Sequence, residues 1–242
     1  MYVNFKPSKI ILATALLNFA SSSFSFDLKQ GHAVVQLGGF ISSPGKSQHI
    51  DIVDLIGDQF TVTNHQNSNA LVGLGYFIDG PVQPAFNLAY GINAFYLGKT
   101  SVNGNIIQEN LFTNLAYRYD ISNLPIYAAA KATIPTKNSR VAATLDAGIG
   151  PNFITTRNYR DSPLDNITLP DNAFSEHTQT TFSATAGIGV KINRVFGEHP
   201  LECAYRFFYL GQGQLAKNNS QLLNTLNTGN TYANALLCSI TV

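Results

Sequence analysis

Residues 178–211 read TQTTFSATAGIGVKINRVFGEHPLECAYRFFYLG, and the fold is decided there. Phe182, Ala184, Ala186, Ile188, Val190 and Ile192 fall on one face, while Ser183, Thr185, Gly187, Gly189 and Lys191 fall on the other. This strict period of two marks a strand with one apolar and one polar face. Beyond the RVFGEHP segment, Leu201, Cys203, Tyr205, Phe207 and Tyr209 alternate with Glu202, Ala204, Arg206, Phe208 and Leu210. The apolar alternation from Phe182 to Ile192 matches the roughly 9–11 residues that a tilted strand needs to cross a bilayer. Aromatic residues gather at the end away from the short turn, where a barrel strand meets the interface. The stretch predicts one hairpin of a membrane β-barrel.

Composition agrees. Of 242 residues 45% are apolar but only 12% charged, about half the ~25% charged share of ordinary globular domains. Barrels carry uncharged polar residues inside and present apolar ones to lipid. Residues 1–25 predict a cleavable export signal. Lys6 and Lys9 precede the short apolar core IILATALLNFA, and Ser23 and Ser25 flank Phe24 ahead of a cut before Phe26. That core is too short for a transmembrane helix, which needs about 20 residues. Without the leader, 13 basic residues face 14 acidic ones. This near-neutral balance, without a basic run, gives no support to nucleic-acid binding. Residues 26–242 are then expected to form a single barrel domain.

Outward from the deciding hairpin the alternation continues. Ala33, Val35, Leu37, Gly39 and Ile41 form one apolar face, Ala70 to Ile78 another, and Phe86 to Tyr96 a third. Gln59 to Thr63 reads as a short strand, and Asn103-Gly104 as a type I′ hairpin turn. Leu111 to Tyr119, 124–134 and 141–155 read as three more strands, and 232–242 as the last. Three long polar segments remain, 42–58, 157–177 and 212–229. Small outer-membrane barrels keep their long loops on one side. Placing all three there requires an even number of strands between the first two. The turn signals favour ten strands in a closed antiparallel up-and-down transmembrane β-barrel, with eight as the alternative.

The export signal, the alternating strands with GxG pairs (GLG at 73–75, AGIG at 186–189) and the closing pair AYRFFYLGQG…TYANALLCSITV resemble the small bacterial outer-membrane β-barrel proteins, the OmpA-transmembrane-domain and opacity-protein group. The resemblance implies a barrel in the bacterial outer membrane, with its lipid and the β-barrel assembly machinery as partners. It implies no single activity. One departure is the last residue, Val242, where these proteins usually end in an aromatic residue.

Candidate chemistry is sparse. The five histidines have no metal-ligand spacing, and nothing calls for a cofactor. Ser175 and His177 stand two apart, as in some outer-membrane lipid hydrolases that they resemble, but no orienting acid is identifiable and no catalytic residue is assigned. His49-Ile50-Asp51, set against outer-membrane proteases, lacks a second acid pair. The in-strand charges Arg118, Lys131, Asp146, Lys191, Glu202 and Arg206 are all expected to face inward. The midpoint of the RVFGEHP turn sets Lys191 opposite Glu202, and the PTKNSR turn sets Lys131 near Asp146. These six form an expected ion-pair network filling a narrow lumen; the alternative is a narrow solute path. The midpoint of 212–229 coincides with that of Cys203 and Cys238, so a symmetric hairpin makes the two cysteines direct neighbours on one face. An oxidising compartment favours a disulfide between them; the alternative is two small lipid-facing apolar residues. The expected function is that of a non-enzymatic outer-membrane barrel with a filled lumen, serving envelope integrity or surface recognition. Any extracellular ligand would meet the loops 42–58, 157–177 and 212–229. A lipid-active hydrolase and a narrow channel are the alternatives.

Overall fold

The computed structural model describes residues 31–64, 66–165 and 167–242; the leader expected at 1–25 lies outside them. The strands among these residues are β1 (Gly31–Ser42), β2 (Gln48–Ile50), β3 (Asp58–Phe60), β4 (Asn67–Val82), β5 (Asn87–Gln108), β6 (Phe112–Pro135), β7 (Val141–Pro163), β8 (Phe174–Ser175), β9 (His177–Phe196), β10 (His199–Gln214), β11 (Ala216–Lys217) and β12 (Asn227–Thr241). Eight of them form a ring in which every pairing is antiparallel. β1 pairs with β4, then β5, β6, β7, β9, β10 and β12 follow, and β12 returns to β1.

Eight strands, not the favoured ten, make the ring, for two separate reasons. Residues 112–119 and 124–134, from two expected strands, belong to the one strand β6. The polar DISN segment between them looks like a turn, yet Ile121 and Asn123 stay in register with Thr156 and Ile154, and Asn152 Nδ2 donates to Asn123 Oδ1 at 2.9 Å. The other strand, 59–63, does not cross the ring. It runs along the edge of β5 beyond the start of β4, with Thr61 N–H donating to Asn105 O and Thr63 N–H to Asn103 O, both at 2.9 Å.

Asn103-Gly104 is therefore no turn. A Cβ on residue 104 would lie 1.7 Å from the Thr61 carbonyl oxygen, so glycine admits the neighbouring backbone there. The reversal falls at Glu109-Asn110, with φ of 51° and 56°, the left-handed pair that a type I′ turn needs.

Strands β5, β6 and β7 are 22, 24 and 23 residues long. Only ~9–11 residues cross a bilayer, so about half of each rises beyond the ring's apolar belt. They rise at the end that carries 43–66, 109–111, 164–176 and 215–226; the short turns 83–86, 136–140 and 197–198 occupy the other end. All three long polar segments thus lie at one end, with four ring strands between the first two.

The outward face of the ring is a belt of exposed large apolar side chains, among them Leu37, Leu74, Ile92, Ile149, Ile188 and Leu236, each 59–70% exposed. A soluble monomer rarely presents so continuous an apolar surface. Inside, one cluster packs Phe40, Leu71, Phe95, Tyr127 and Phe208 at mid-height, and another joins Val34, Phe77 and Ala89 toward the short turns. A third core, around Phe60, Tyr117, Tyr119, Phe174 and Leu222, sits at the long-loop end.

Candidate functional site in the lumen and its cap

Period two places Asp146 on the inner face of β7 and Arg206 on the inner face of β10, with β9 between them. Both stand in register with the same β9 residue, Gly187. A Cβ at 187 would come within 2.9–3.3 Å of the Asp146 carboxylate atoms. The glycine thus leaves room for the Arg206 guanidinium to reach over β9 and bind Asp146 at 2.6 Å. Both side chains are 5% exposed. The guanidinium also lies 5.0 Å from the centre of the Phe95 ring and 6.0 Å from that of Phe208, favourable ground for a desolvated cation. The apolar side of the AGIG sequence faces out; its first glycine, Gly187, is the passage for this pair.

Toward the short turns, Lys191 stands opposite Glu202 and Lys131 opposite Asp146 in the strand register. The ion pairs nevertheless run across the ring rather than between register partners. Lys131 Nζ binds Glu202 Oε2 and sits 5.9 Å over the Phe77 ring. Thr144 Oγ1 donates to Glu202 Oε1 at 2.9 Å.

Arg118 does not belong to this lumen. Because β6 is one continuous strand, a single phase holds along it, and the residues sharing the Lys131 face include Tyr117 and Tyr119. Those tyrosines are buried, and Arg118 points outward, donating to Ser101 Oγ at 2.9 Å and lying 3.6 Å from Asp120. Asp120 is also bound by Lys99 at 3.2 Å and accepts hydrogen bonds from Ser101 at 2.6 Å and Asn158 at 2.9 Å. Burial alone would raise its pKa, but the hydrogen bonds from Ser101, Asn158 and Lys99 together hold it below the ordinary carboxylate value.

The cap is tied together by backbone. Ile52 forms a bridge with Leu222, Leu223 N–H donates to Asp51 O at 2.8 Å, and Val53 N–H to Gln221 O at 2.9 Å. β8 pairs with β11 through Ser175 with Ala216 and Phe174 with Lys217. Gln48 both donates to and accepts from the Asn227 backbone, at 2.6 and 3.1 Å. The three long segments are one packed lid over the ring. Burial within it raises the pKa of Asp58, opposed by its hydrogen bond from the Glu109 backbone, and raises that of Asp161, opposed by the Asn172 and Asp171 amides.

Ser175 and His177 share no hydrogen bond, and neither side chain bonds a carboxylate among the described residues. His49 lies 3.6 Å from Asp51, and its Nε2 is 2.9 Å from the Ile56 carbonyl. Cys203 and Cys238 are direct partners in the β10–β12 register and are joined as a disulfide, their Cα atoms 4.0 Å apart, on the outward face.

The raised Asp58 and Asp161 pKa values fix a direction for the pH response. Between the ordinary carboxylate value of 3.8 and the raised folded values, the folded cap holds more protons than the unfolded chain. Cap stability therefore increases as pH falls from neutrality through that window. The Asp120 contribution has the opposite sign, but it is lost only below 3.8. The chain has no tryptophan, so Leu223→Trp, at an exposed cap position, supplies a single reporter. Its urea midpoint should be higher at mildly acidic pH than at pH 7, and Asp161→Asn should flatten that dependence.

An antiparallel strand ring with an apolar outer belt and an interior filled by polar and aromatic side chains is the architecture of a small transmembrane β-barrel. Among solved structures the chain is similar to small outer-membrane β-barrel proteins. The outer membrane protein OprG from Pseudomonas aeruginosa is 14% identical, with 88% of this chain and 96% of that one covered and a TM-score of 0.49. Neisserial surface protein A is 11% identical over 87% and 96%, with a TM-score of 0.42. The outer membrane protease OmpT from Escherichia coli is 8% identical over 92% and 99%, with a TM-score of 0.47. No protein-family model and no curated protein matches the sequence. The ring and its register, rather than these likenesses, carry the fold assignment.

Proposed function

We propose that the chain is a non-enzymatic outer-membrane barrel with a closed lumen, acting in envelope integrity or surface recognition through its cap. One observation carries the reading. The Arg206–Asp146 pair and the rings of Phe95, Tyr127 and Phe208 occupy the middle of the ring, each of these side chains almost fully buried. Eight strands enclose an interior just wide enough for side chains to fill. The cap core then covers the same lumen from the long-loop end. The outer belt meets membrane lipid, and the cap, turned to the outside as long loops of small barrels are, is where a ligand would be met. Assembly into the membrane would use the β-barrel assembly machinery. Reconstituted into planar bilayers, the protein should give no large stable conductance steps, and Arg206→Ala should not open one. Sustained single-channel steps in the unaltered chain would support a solute path instead.

A further inference from the structure

The outward face above the belt holds a pocket that the lumen and cap do not account for. It has a volume of about 300 Å³ and lies across Thr63, Asn103, Arg118 and Arg160, with Asn105 and Ser162 on its upper side. The strand register explains how it arises. Asn103 pairs with Arg118, and Arg118 with Arg160, which sets two arginines directly opposite each other on neighbouring strands. In the next row Asn105 pairs with Ala116, and Ala116 with Ser162. The small Ala116 side chain leaves the depth, and polar side chains flank it.

Two like charges placed directly opposite on adjacent strands destabilise a sheet. Among the described residues nothing relieves them from the Arg160 side, since Arg160 makes no hydrogen bond or ion pair there. The side chains of Asn103, Asn105 and Ser162 are likewise without a hydrogen-bond partner among the described residues. Nearby, Lys99 and Arg118 reach the carboxylate of Asp120, which is also held by Ser101 and Asn158, and Arg157 stands in register with it. The surface is positive, and its amides and hydroxyls still have donors and acceptors to offer.

We propose that this pocket binds a phosphorylated sugar. The free Arg160 fork, with the Arg118 charge beside it in register, suits a phosphoryl group, whose oxygens a guanidinium can meet with more than one N–H donor at once. The Asn103, Asn105 and Ser162 side chains suit the hydroxyls of the ring that carries it, since amides and hydroxyls both donate and accept. The pocket's height bears on the source of the ligand. On β7, Arg160 follows the belt residue Phe153 by about 23 Å of strand, at ~3.3 Å per residue. With the usual tilt of about 45° this stands roughly 16 Å higher. That is above an ordinary phosphoglyceride headgroup and within reach either of a large phosphorylated glycolipid or of a free phosphosugar. The glycolipid source rests on the proposed membrane reading; the pocket chemistry does not.

Binding to the full chain, refolded in uncharged detergent at low ionic strength, separates the outcomes. Glucose 6-phosphate should bind more tightly than either glucose or inorganic phosphate. Arg160→Gln removes an exposed side chain that has no partner, so it leaves the fold intact, and it should weaken glucose 6-phosphate at least about tenfold, a loss of ~1.4 kcal/mol. Arg160→Lys, which keeps the charge but not the fork, should fall between the two. Unchanged binding by Arg160→Gln would overturn the site, and equal affinity for inorganic phosphate and glucose 6-phosphate would reduce it to an adventitious anion only. The source is read in phosphatidylcholine vesicles with and without diphosphorylated lipid A. Loss of glucose 6-phosphate binding when lipid A is present assigns the site to the membrane glycolipid; retained binding assigns it to a soluble sugar. A chain that fails to float with vesicles yet binds glucose 6-phosphate in detergent would contradict the membrane reading and leave the pocket standing.

Discussion

Asp146→Ala should destabilise the folded chain by about 3–5 kcal/mol, the usual consequence of stranding one member of a buried ion pair. Arg206 would be left with its charge among Phe95, Tyr127 and Phe208, more than nine-tenths buried and without its carboxylate. Aromatic faces attract a cation but do not replace an ionic partner. The double variant Asp146→Ala with Arg206→Met distinguishes a stranded charge from a lost contact. Removing both charges should recover much of the loss, since apolar replacement of a buried pair is often neutral or stabilising. Denaturant midpoints of the three proteins, refolded in the same detergent, check this. A double variant as unstable as Asp146→Ala would mean that the carboxylate matters for something other than Arg206.

The second large effect belongs to the disulfide between Cys203 and Cys238, which closes a segment of sequence separation 35. In the chain-entropy account, closing a loop of that length restricts the unfolded chain by about 3–4 kcal/mol. Reduction before unfolding should lower stability by that order, and Cys203→Val with Cys238→Val should reproduce it while keeping two apolar residues on the outward face. The bond ties β10 to β12 near the end with the short turns, whereas the cap ties lie at the other end. Its removal should therefore leave the cap's pH response unchanged. A reduced protein as stable as the oxidised one would mean that the strand pairing alone sets the register there.

What could be read in the sequence follows from how local the determining signal is. The face and register of the β9–β10 hairpin were legible because a short turn with a definable midpoint fixes both at once. Lys191 stands opposite Glu202 for that reason. The same symmetry placed Cys203 beside Cys238 even across a long connection, since the ring forces the two strands to start and end at matching heights. Arg118 and the strand count were lost together. Reading a turn into DISN split β6 in two and let each half take its own phase, which turned Arg118 inward and Tyr117 outward. A continuous strand permits one phase only, and the buried tyrosines set it.

The cap core was legible only in part. Leu115, Tyr117 and Tyr119 alternate along one strand, but the stretches near 50, 60, 174 and 222 are each too brief to show a period, and they join that strand only because β5, β6 and β7 outreach the bilayer. Nor could the register alone give the ion pairs. Lys131 lies opposite Asp146 along the sheet but binds Glu202 across the ring, a contact that depends on the curvature of the closed sheet. A glycine on the inward face, in register with charged residues on both neighbouring strands, was the available signal for the Arg206–Asp146 contact.

The outer face of the ring is made for lipid. The measurement that addresses it most directly is refolding of the chain from urea with and without phosphatidylcholine vesicles, followed by electrophoretic migration before and after boiling. A strand ring with Leu37, Leu74, Ile92, Ile149 and Leu236 on its outside should fold only with the vesicles, float with them, and migrate faster before boiling than after. A chain that folds to a soluble monomer in plain buffer, with no vesicle association, would contradict it.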